Sequence, residues 1–303
     1  MKVAITGVTG FVGPHLVREL VGHGHSVIGM GLGPVREDVG LLMSDYIPVD
    51  LRDHWPSVDC DAVVHLAALS AVGPSFNEPQ RYIESNSAPM TRLAEALLST
   101  NERVRVVVVS TGAIYDTAND RPQNENSPIN PSSPYIVSKI LTEAQSAYYR
   151  QRGLDIVVMR PFNHIGPGQG PGFLLPDLVS GVNHWMETGE AVHVGNLATR
   201  RDYTDVRDVV RAYRLALETP EVTAPVLNVC SGKSVSGREL LDLVANALTD
   251  GRRPEIQVDQ MKLRPGDPVE VRGNNTAIRE SLGWQPSIDL LQTVRDVVDS
   301  RHH

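Results

Sequence analysis

The sequence predicts an α/β fold, a doubly wound parallel sheet carrying a smaller, mostly C-terminal α/β substrate domain. Three observations predict it. Short β-branched runs recur ahead of helical stretches, at Lys2–Thr6, Ser26–Gly29, Ala62–Leu66, Val104–Val109 and Asp155–Arg160, as expected for strands buried on both faces. The first run ends in the glycine series Gly7, Gly10 and Gly13. Pro14–His23 then shows helical apolar spacing at Leu16, Val17, Leu20 and Val21. Strand, glycine turn and helix in that order suit a dinucleotide loop, because the glycines let a pyrophosphate approach the free N–H groups of a helix N-terminus. The fold is therefore expected to be Rossmann-type.

Composition narrows the function. A chain of 303 residues supports one large or two modest domains. The net charge of -8, with no long basic run, argues against nucleic acid or an anionic membrane surface as partner. A local arginine cluster could still hold a small anion. No apolar run approaches the roughly 18 residues of a membrane span, and the chain opens directly in a strand, so neither a span nor a leader is expected and a cytoplasmic location is. Cys60 and Cys230 lie in apolar surroundings and read as core thiols. With no CxxC or HExxH, no metal site is expected. His302 and His303 read as the remnant of an expression tag.

The second strand, Ser26–Gly29, runs into Met30–Pro34, which offers no carboxylate for a ribose hydroxyl; Arg36 is the nearest cation. Without a carboxylate there is no repulsion of a 2′-phosphate, which favours NADP(H) over NAD(H). Tyr46–Val49 is the third strand, and Asp50 follows it, either against the adenine amine or as a strand-end cap. The fourth strand, Ala62–Leu66, continues into Ala67 and Ala68, whose small side chains leave room for a cofactor; His65 reads as a packed strand residue. Asn86 is expected to open a helix running to about Leu98, either capping it or lying behind the nicotinamide.

Val104–Val109 is the central strand, with Ser110 and Thr111 at its C-terminal end, where open α/β sheets place their chemistry. Twenty-four residues after Thr111, Tyr135 opens a helix, and Lys139 lies one turn later on the same face. The ammonium is expected to favour ionisation of the phenol, bringing proton transfer within reach of neutral pH. Ala118–Ser133, rich in Asn, Pro and Ser, is expected to loop over that site.

Asp155–Arg160 exits through a Gly- and Pro-rich segment, Pro161–Gln169, and a helix is expected between Gly172 and Gly189. Thr199–Asp205 reads as a charged turn whose Asp205 caps a helix over Val206–Glu218. A buried strand at Pro225–Cys230, an amphipathic helix at Arg238–Leu248, a polar turn at Leu263–Asp267 and helices at Thr276–Leu282 and Leu290–Ser300 complete the chain. The helix after Asp205 and the strand near Val226 are expected to return to the first domain. The cofactor domain then comprises 1–163 plus about 205–232, and the substrate domain about 164–204 and 233–301.

With the glycine loop, Ser110-Thr111, Tyr115, Tyr135-x-x-x-Lys139 and Asn163–Pro167 in hand, the chain resembles extended short-chain dehydrogenases/reductases that act on nucleotide sugars, over essentially its whole length. Arg160–Gln169, Val194–Leu197, Arg201–Asp208, Asn228–Gly232 and Leu263–Pro265 are most similar to GDP-4-keto-6-deoxy-D-mannose reductases. The resemblance implies NAD(P)H-dependent reduction of the 4-keto group of a nucleoside-diphosphate 4-keto-6-deoxyhexose. It implies that Gly7, Gly10, Phe11, Val12 and Gly13 line the pyrophosphate, and that Arg36, Asp50 and Leu51 flank the adenosine. Leu66, Ala67, Ala68, Asn86, Ser110 and Pro161 would lie near the ribose and nicotinamide. Thr111, Tyr135 and Lys139 would be catalytic, with Lys139 also holding the nicotinamide ribose. Ser70, Asn163, Arg201 and Arg264 would hold the nucleotide sugar. Two arginines on a diphosphate also match charge pairing; their alternative is surface salt bridges. A homodimer through the Tyr135 helix and the one near Asn86–Leu98 is implied as well.

The 4,6-dehydratases of this family carry acids just after the catalytic hydroxyl. Here Gly112 and Ala113 stand there, which argues against elimination of water. Ser110–Tyr115 reads much like 4-epimerases, so an NAD-dependent nucleotide-sugar 4-epimerase is the alternative; Asp116 replaces the glycine usual after that tyrosine. A non-catalytic NADP-binding regulator is a further alternative, set against the retention of both Tyr135 and Lys139.

Overall fold

A computed structural model of the chain describes residues 1–100, 103–117, 121–249, 251–263 and 267–300. β1 (Lys2–Thr6) leads through the glycine turn into α1 (Val12–Gly22), followed by β2 (Ser26–Gly31), a short α2 (Glu37–Gly40) and β3 (Asp45–Pro48). β4 (Ala62–His65), the single turn α3 (Val72–Ser75) and the long α4 (Pro79–Thr100) precede β5 (Arg105–Val109). α5 (Pro134–Gln151), β6 (Asp155–Pro161), β7 (Asn163–Ile165), α6 (Leu174–Thr188) and β8 (Val192–Val194) come next. Then follow β9 (Arg200–Asp205), α7 (Val206–Glu218), β10 (Val226–Val229), β11 (Ser234–Ser236) and α8 (Gly237–Thr249). β12 (Ile256–Val258), β13 (Glu270–Val271), α9 (Thr276–Leu282) and α10 (Leu290–Asp299) end the chain.

Seven strands form one parallel sheet in the order β10-β6-β5-β4-β1-β2-β3. The order reverses between β1 and β4, where strand ends open a crevice in doubly wound sheets. Alternate strand residues feed two cores. Val3, Ile5, Val64, Val107 and Met159 pack with α1, α7 and α9 on one face. Ala4, Val63, Val106, Val108 and Val158 pack with α4 and Tyr149 of α5 on the other. This explains why these strands read as continuous apolar runs rather than alternating ones.

The rest forms smaller sheets. β9 pairs with β11, β13 and β7, and β8 pairs with β12. A third core joins α6, α8 and α10 with Val192 and Val194. No helix among the described residues is long and apolar enough to cross a membrane.

Two sequence expectations change. Thr199–Asp205 is not a turn: Arg200–Asp205 is β9, the central strand of the second sheet. Its polar side chains are satisfied inside the fold. Asp202 is fully buried and accepts hydrogen bonds from Ser231 N and Oγ, Gly232 N and Gly273 N. Asp205 accepts from Arg207 N at 2.8 Å, capping α7. Asn86 does not open its helix either. α4 begins at Pro79, two turns earlier, where proline's fixed φ suits a first helical position.

Candidate active site

Pro134 at the start of α5 and the Ser133 hydroxyl, which accepts from Ile136 N at 3.2 Å, fix the helix N-terminus. Tyr135 thus falls in the first turn and Lys139 one turn on, both facing inward and buried. The Lys139 ammonium donates to the carbonyl of Val109, the last residue of β5, at 2.9 Å. Two residues further, the Thr111 hydroxyl accepts from Ala113 N at 3.2 Å and hydrogen-bonds the Tyr135 phenol. Ser110, between them, is buried, and its Oγ has no hydrogen-bond partner among the described residues. The C-terminal end of the central strand therefore brings Ser110, Thr111, Tyr135 and Lys139 together.

Burial dominates the electrostatics here. It pushes the Tyr135 phenol up to about 12, opposed by the Thr111 hydrogen bond. It brings Lys139 down to about 8, opposed by the Glu143 carboxylate one turn further along α5. The expected lowering of Tyr135 by Lys139 is absent, because the ammonium is directed at the Val109 carbonyl and loss of water penalises the phenolate more. His65 is packed in β4, as its sequence context suggests; burial, with Lys139 nearby, holds its imidazole down at about 3. Its Nδ1 lies 2.8 Å from Thr6 Oγ1, which in turn accepts from Ala67 N at 3.1 Å.

The glycine turn is cut to fit backbone. Gly7 has φ +70°, and a Cβ there would stand 2.8 Å from Ala67 N and Cα; at Gly13 it would stand 2.0 Å from Val8 O. Gly10 N donates to Gly7 O at 3.0 Å, closing the turn. Phe11 immediately precedes α1 and stacks on His164, while Val12 opens the helix. Leu66, Ala67 and Ala68 leave the end of β4 half-buried, with Ser70 exposed beyond them. Leu51 is buried in the sheet's second core, and Pro161 ends β6.

Other candidates are already engaged. Arg36 is exposed and pairs with Asp38 at 3.0 Å, and Arg18 reaches the same carboxylate. Asp50 pairs with Arg52, which holds its carboxyl below the ordinary range. Asn86 is buried with its amide fully used: Oδ1 accepts from Leu69 N at 2.7 Å, and Nδ2 donates to Leu69 O and Ser138 Oγ. It does not cap α4, which begins at Pro79; it ties the loop after β4 to α5. Asn163 is exposed on β7, opposite Tyr203 of β9. Arg201 pairs with Asp267 at 2.7 Å and donates to the carbonyls of Arg200 and Pro268. Arg264 lies outside the described residues.

Sequence reasoning missed a buried network behind the site. Arg160 donates to both oxygens of Glu143 at 2.9 and 2.6 Å, and its Nη1 donates to Tyr115 OH at 2.8 Å. The Tyr115 hydroxyl donates to Asn228 Oδ1 at 2.6 Å, and Asn228 N donates to Glu125. The four-residue spacing of Lys139 and Glu143 was the available signal. Phe162 was missed too. A Cβ at Gly112 would stand 2.5 Å from its ring, and one at Gly273 2.9 Å from it.

The family model described as GDP-mannose 4,6 dehydratase matches residues 4–297. The GDP-6-deoxy-D-mannose reductase of Pseudomonas aeruginosa is 32% identical over 98% of this chain and 96% of its own. The UDP-glucose 4-epimerase of Mycolicibacterium smegmatis is 30% identical over 99% of this chain and 98% of its own. Among solved structures, MoeE5 in complex with UDP-glucuronic acid and NAD superposes with a TM-score of 0.86 at 29% identity, covering 100% of this chain and 99% of that one. The Thermus thermophilus UDP-glucose 4-epimerase complex with NAD gives 0.84 at 29% identity, with the same coverage. Matched along nearly its whole length in both sequence and fold, the chain belongs to the GDP-mannose 4,6 dehydratase family, within the nucleotide-sugar branch of the extended short-chain dehydrogenases/reductases, and is an enzyme of oxidoreductase type.

Proposed function

We propose that the protein reduces the 4-keto group of a nucleoside-diphosphate 4-keto-6-deoxyhexose, of the GDP-4-keto-6-deoxymannose kind, in deoxysugar biosynthesis. The observation that carries this reading is the convergence of Thr111, Tyr135 and Lys139 at the C-terminal end of β5. The glycine cradle at Gly7 and Gly13, which a Cβ would fill, and the unpartnered Ser110 hydroxyl fit a nicotinamide dinucleotide. That cofactor would supply the hydride for C4, with NADP(H) favoured over NAD(H) by the absence of a carboxylate at Met30–Pro34.

The phenol of Tyr135 gives its proton to the new O4. Burial keeps it protonated at neutral pH, the state a proton donor needs. Thr111 hydrogen-bonds the same oxygen and orients it. Lys139 holds the ribose hydroxyls and supplies positive charge beside the phenol as the proton leaves. Arg201, with Arg264, takes the diphosphate once Asp267 yields its place, and Asn163 and Ser70 contact the sugar nucleotide. Val137, Leu141 and Tyr148, exposed along α5, form with α4 the face of a homodimer.

A second reading, an NAD-dependent 4-epimerase using the same residues, is favoured by the epimerase relative's comparable identity and by the Ser110–Tyr115 segment. One assay separates the two. NADPH and NADH absorbance is followed with GDP-4-keto-6-deoxymannose and with dTDP-4-keto-6-deoxyglucose. Stoichiometric oxidation with one of them establishes the ketoreductase. No oxidation with either, together with tightly held NAD released on denaturation, overturns it in favour of the epimerase.

A further inference from the structure

We propose that Glu143 and Arg160 form a positioning pair that governs how readily Lys139 holds its proton. Glu143 follows Lys139 by four residues on α5 and so shares its face, one turn away. The side chains of Arg160 and Glu143 are only 9% and 13% exposed, and the guanidinium grips the carboxylate through two nitrogens. Such a fork fixes direction as well as charge. Tyr115 OH and the Glu125 carbonyl hold the third arm of Arg160, so the guanidinium cannot turn elsewhere.

The surroundings leave few other groups to act on Lys139. From β5 it meets the Val109 carbonyl, from β4 the neutral His65, and on its own helix Tyr135 and Glu143. Arg150, also on α5, and Arg160 from β6 face Glu143, and Glu125 and Tyr115 face Arg160. Glu143 is thus the carboxylate that favours the ammonium, and Arg160 limits how strongly it does so. Removing Glu143 alone would leave the buried Arg160 guanidinium without its carboxylate. Removing both leaves no such charge.

The role of this pair in turnover rests on the ketoreductase reading, but the titration of Lys139 does not. The chain has four lysines, Lys2, Lys139, Lys233 and Lys262, so ¹³Cε-lysine NMR resolves each, and Lys139→Met assigns the buried one. Glu143→Gln is expected to lower the Lys139 midpoint by about one pH unit. Glu143→Asp is expected to restore part of that, and the Glu143→Gln/Arg160→Gln double variant to fall between wild type and the single variant. If Glu143→Gln does not fold, the charge-balanced double variant carries the test through a midpoint below wild type. A midpoint unchanged in the folded variants overturns the proposal. A kcat–pH limb moving with the NMR midpoint extends it to catalysis; absence of turnover on every keto sugar would sink the reaction proposed above and leave the NMR titration to decide the pairing by itself.

Discussion

Lys139 donates its ammonium to the carbonyl of Val109 at 2.9 Å, and Val109 ends the strand that delivers Thr111. The lysine thereby joins α5 to the end of β5. Its buried charge also destabilises the fold at neutral pH, because the folded value of about 8 lies below the ordinary 10.5. The unfolded chain binds the extra proton between those values, so stability is lowest below pH 8 and recovers as pH rises towards 10.5. Lys139→Met should therefore be inactive yet more stable than wild type at pH 7, by on the order of 2 kcal/mol. Denaturant titrations at pH 7 and pH 10 check this: the gain should shrink at the higher pH.

On the proposed mechanism, Tyr135→Phe removes the proton donor and little else. Turnover should fall by about 10²–10⁴-fold, while nicotinamide cofactor affinity, measured by equilibrium titration, stays within a few-fold of wild type. A phenylalanine variant with a near-normal rate would refute the assignment.

His65 stays neutral in the fold down to about pH 3, against an ordinary value of 6.5. Its contribution is complete above pH 6.5 and is lost as pH falls towards 3, because the unfolded chain takes the proton first. His65→Leu loses the Thr6 hydrogen bond and should be less stable at pH 7. Between pH 6.5 and 4 its stability should decline less steeply than that of wild type, read from urea midpoints across that range.

The glycine cradle discriminates by position. Gly13→Ala places a methyl 2.0 Å from Val8 O and should cost about 1–3 kcal/mol or more, together with most cofactor binding. Gly22→Ala, in the same helix with open space around it, should be neutral or stabilising by up to about 1 kcal/mol. Thermal melts with and without cofactor compare the two.

Asn86→Leu leaves the N–H and carbonyl of Leu69 and the hydroxyl of Ser138 without the amide they share. A loss of about 2–4 kcal/mol is expected, with amide exchange at Leu69 accelerated beyond the global change. For the dimer face, Leu141→Glu should shift sedimentation from dimer to monomer without altering far-UV circular dichroism.

The parallel strands were legible because burial on both faces demands unbroken apolar runs, and the Tyr135–Lys139 face because helical spacing is local. β9 was not legible: Arg200–Asp205 contains no apolar alternation, and Asp202 is tolerated inside only because loops distant in sequence donate to it. Partnerships such as Arg160 with Glu143, or Arg201 with Asp267, depend on which strand lies beside which element. The electrostatics of Tyr135 could not be read from spacing, since depth of burial decides its sign.

Phe162 lies against both Gly112 and Gly273, with its ring where a side chain at 112 would begin. The family resemblance implies that a dehydratase would carry acids at 112 and 113, just after Thr111. In this chain a single codon change at 112 would collide with the ring before it could add chemistry, and opening the ring's space first would leave a void beneath the site. The two steps are unfavourable one at a time, so an acid at 112 requires a paired substitution and random single mutagenesis there should not find one, whereas Ala113, the other position, is exposed.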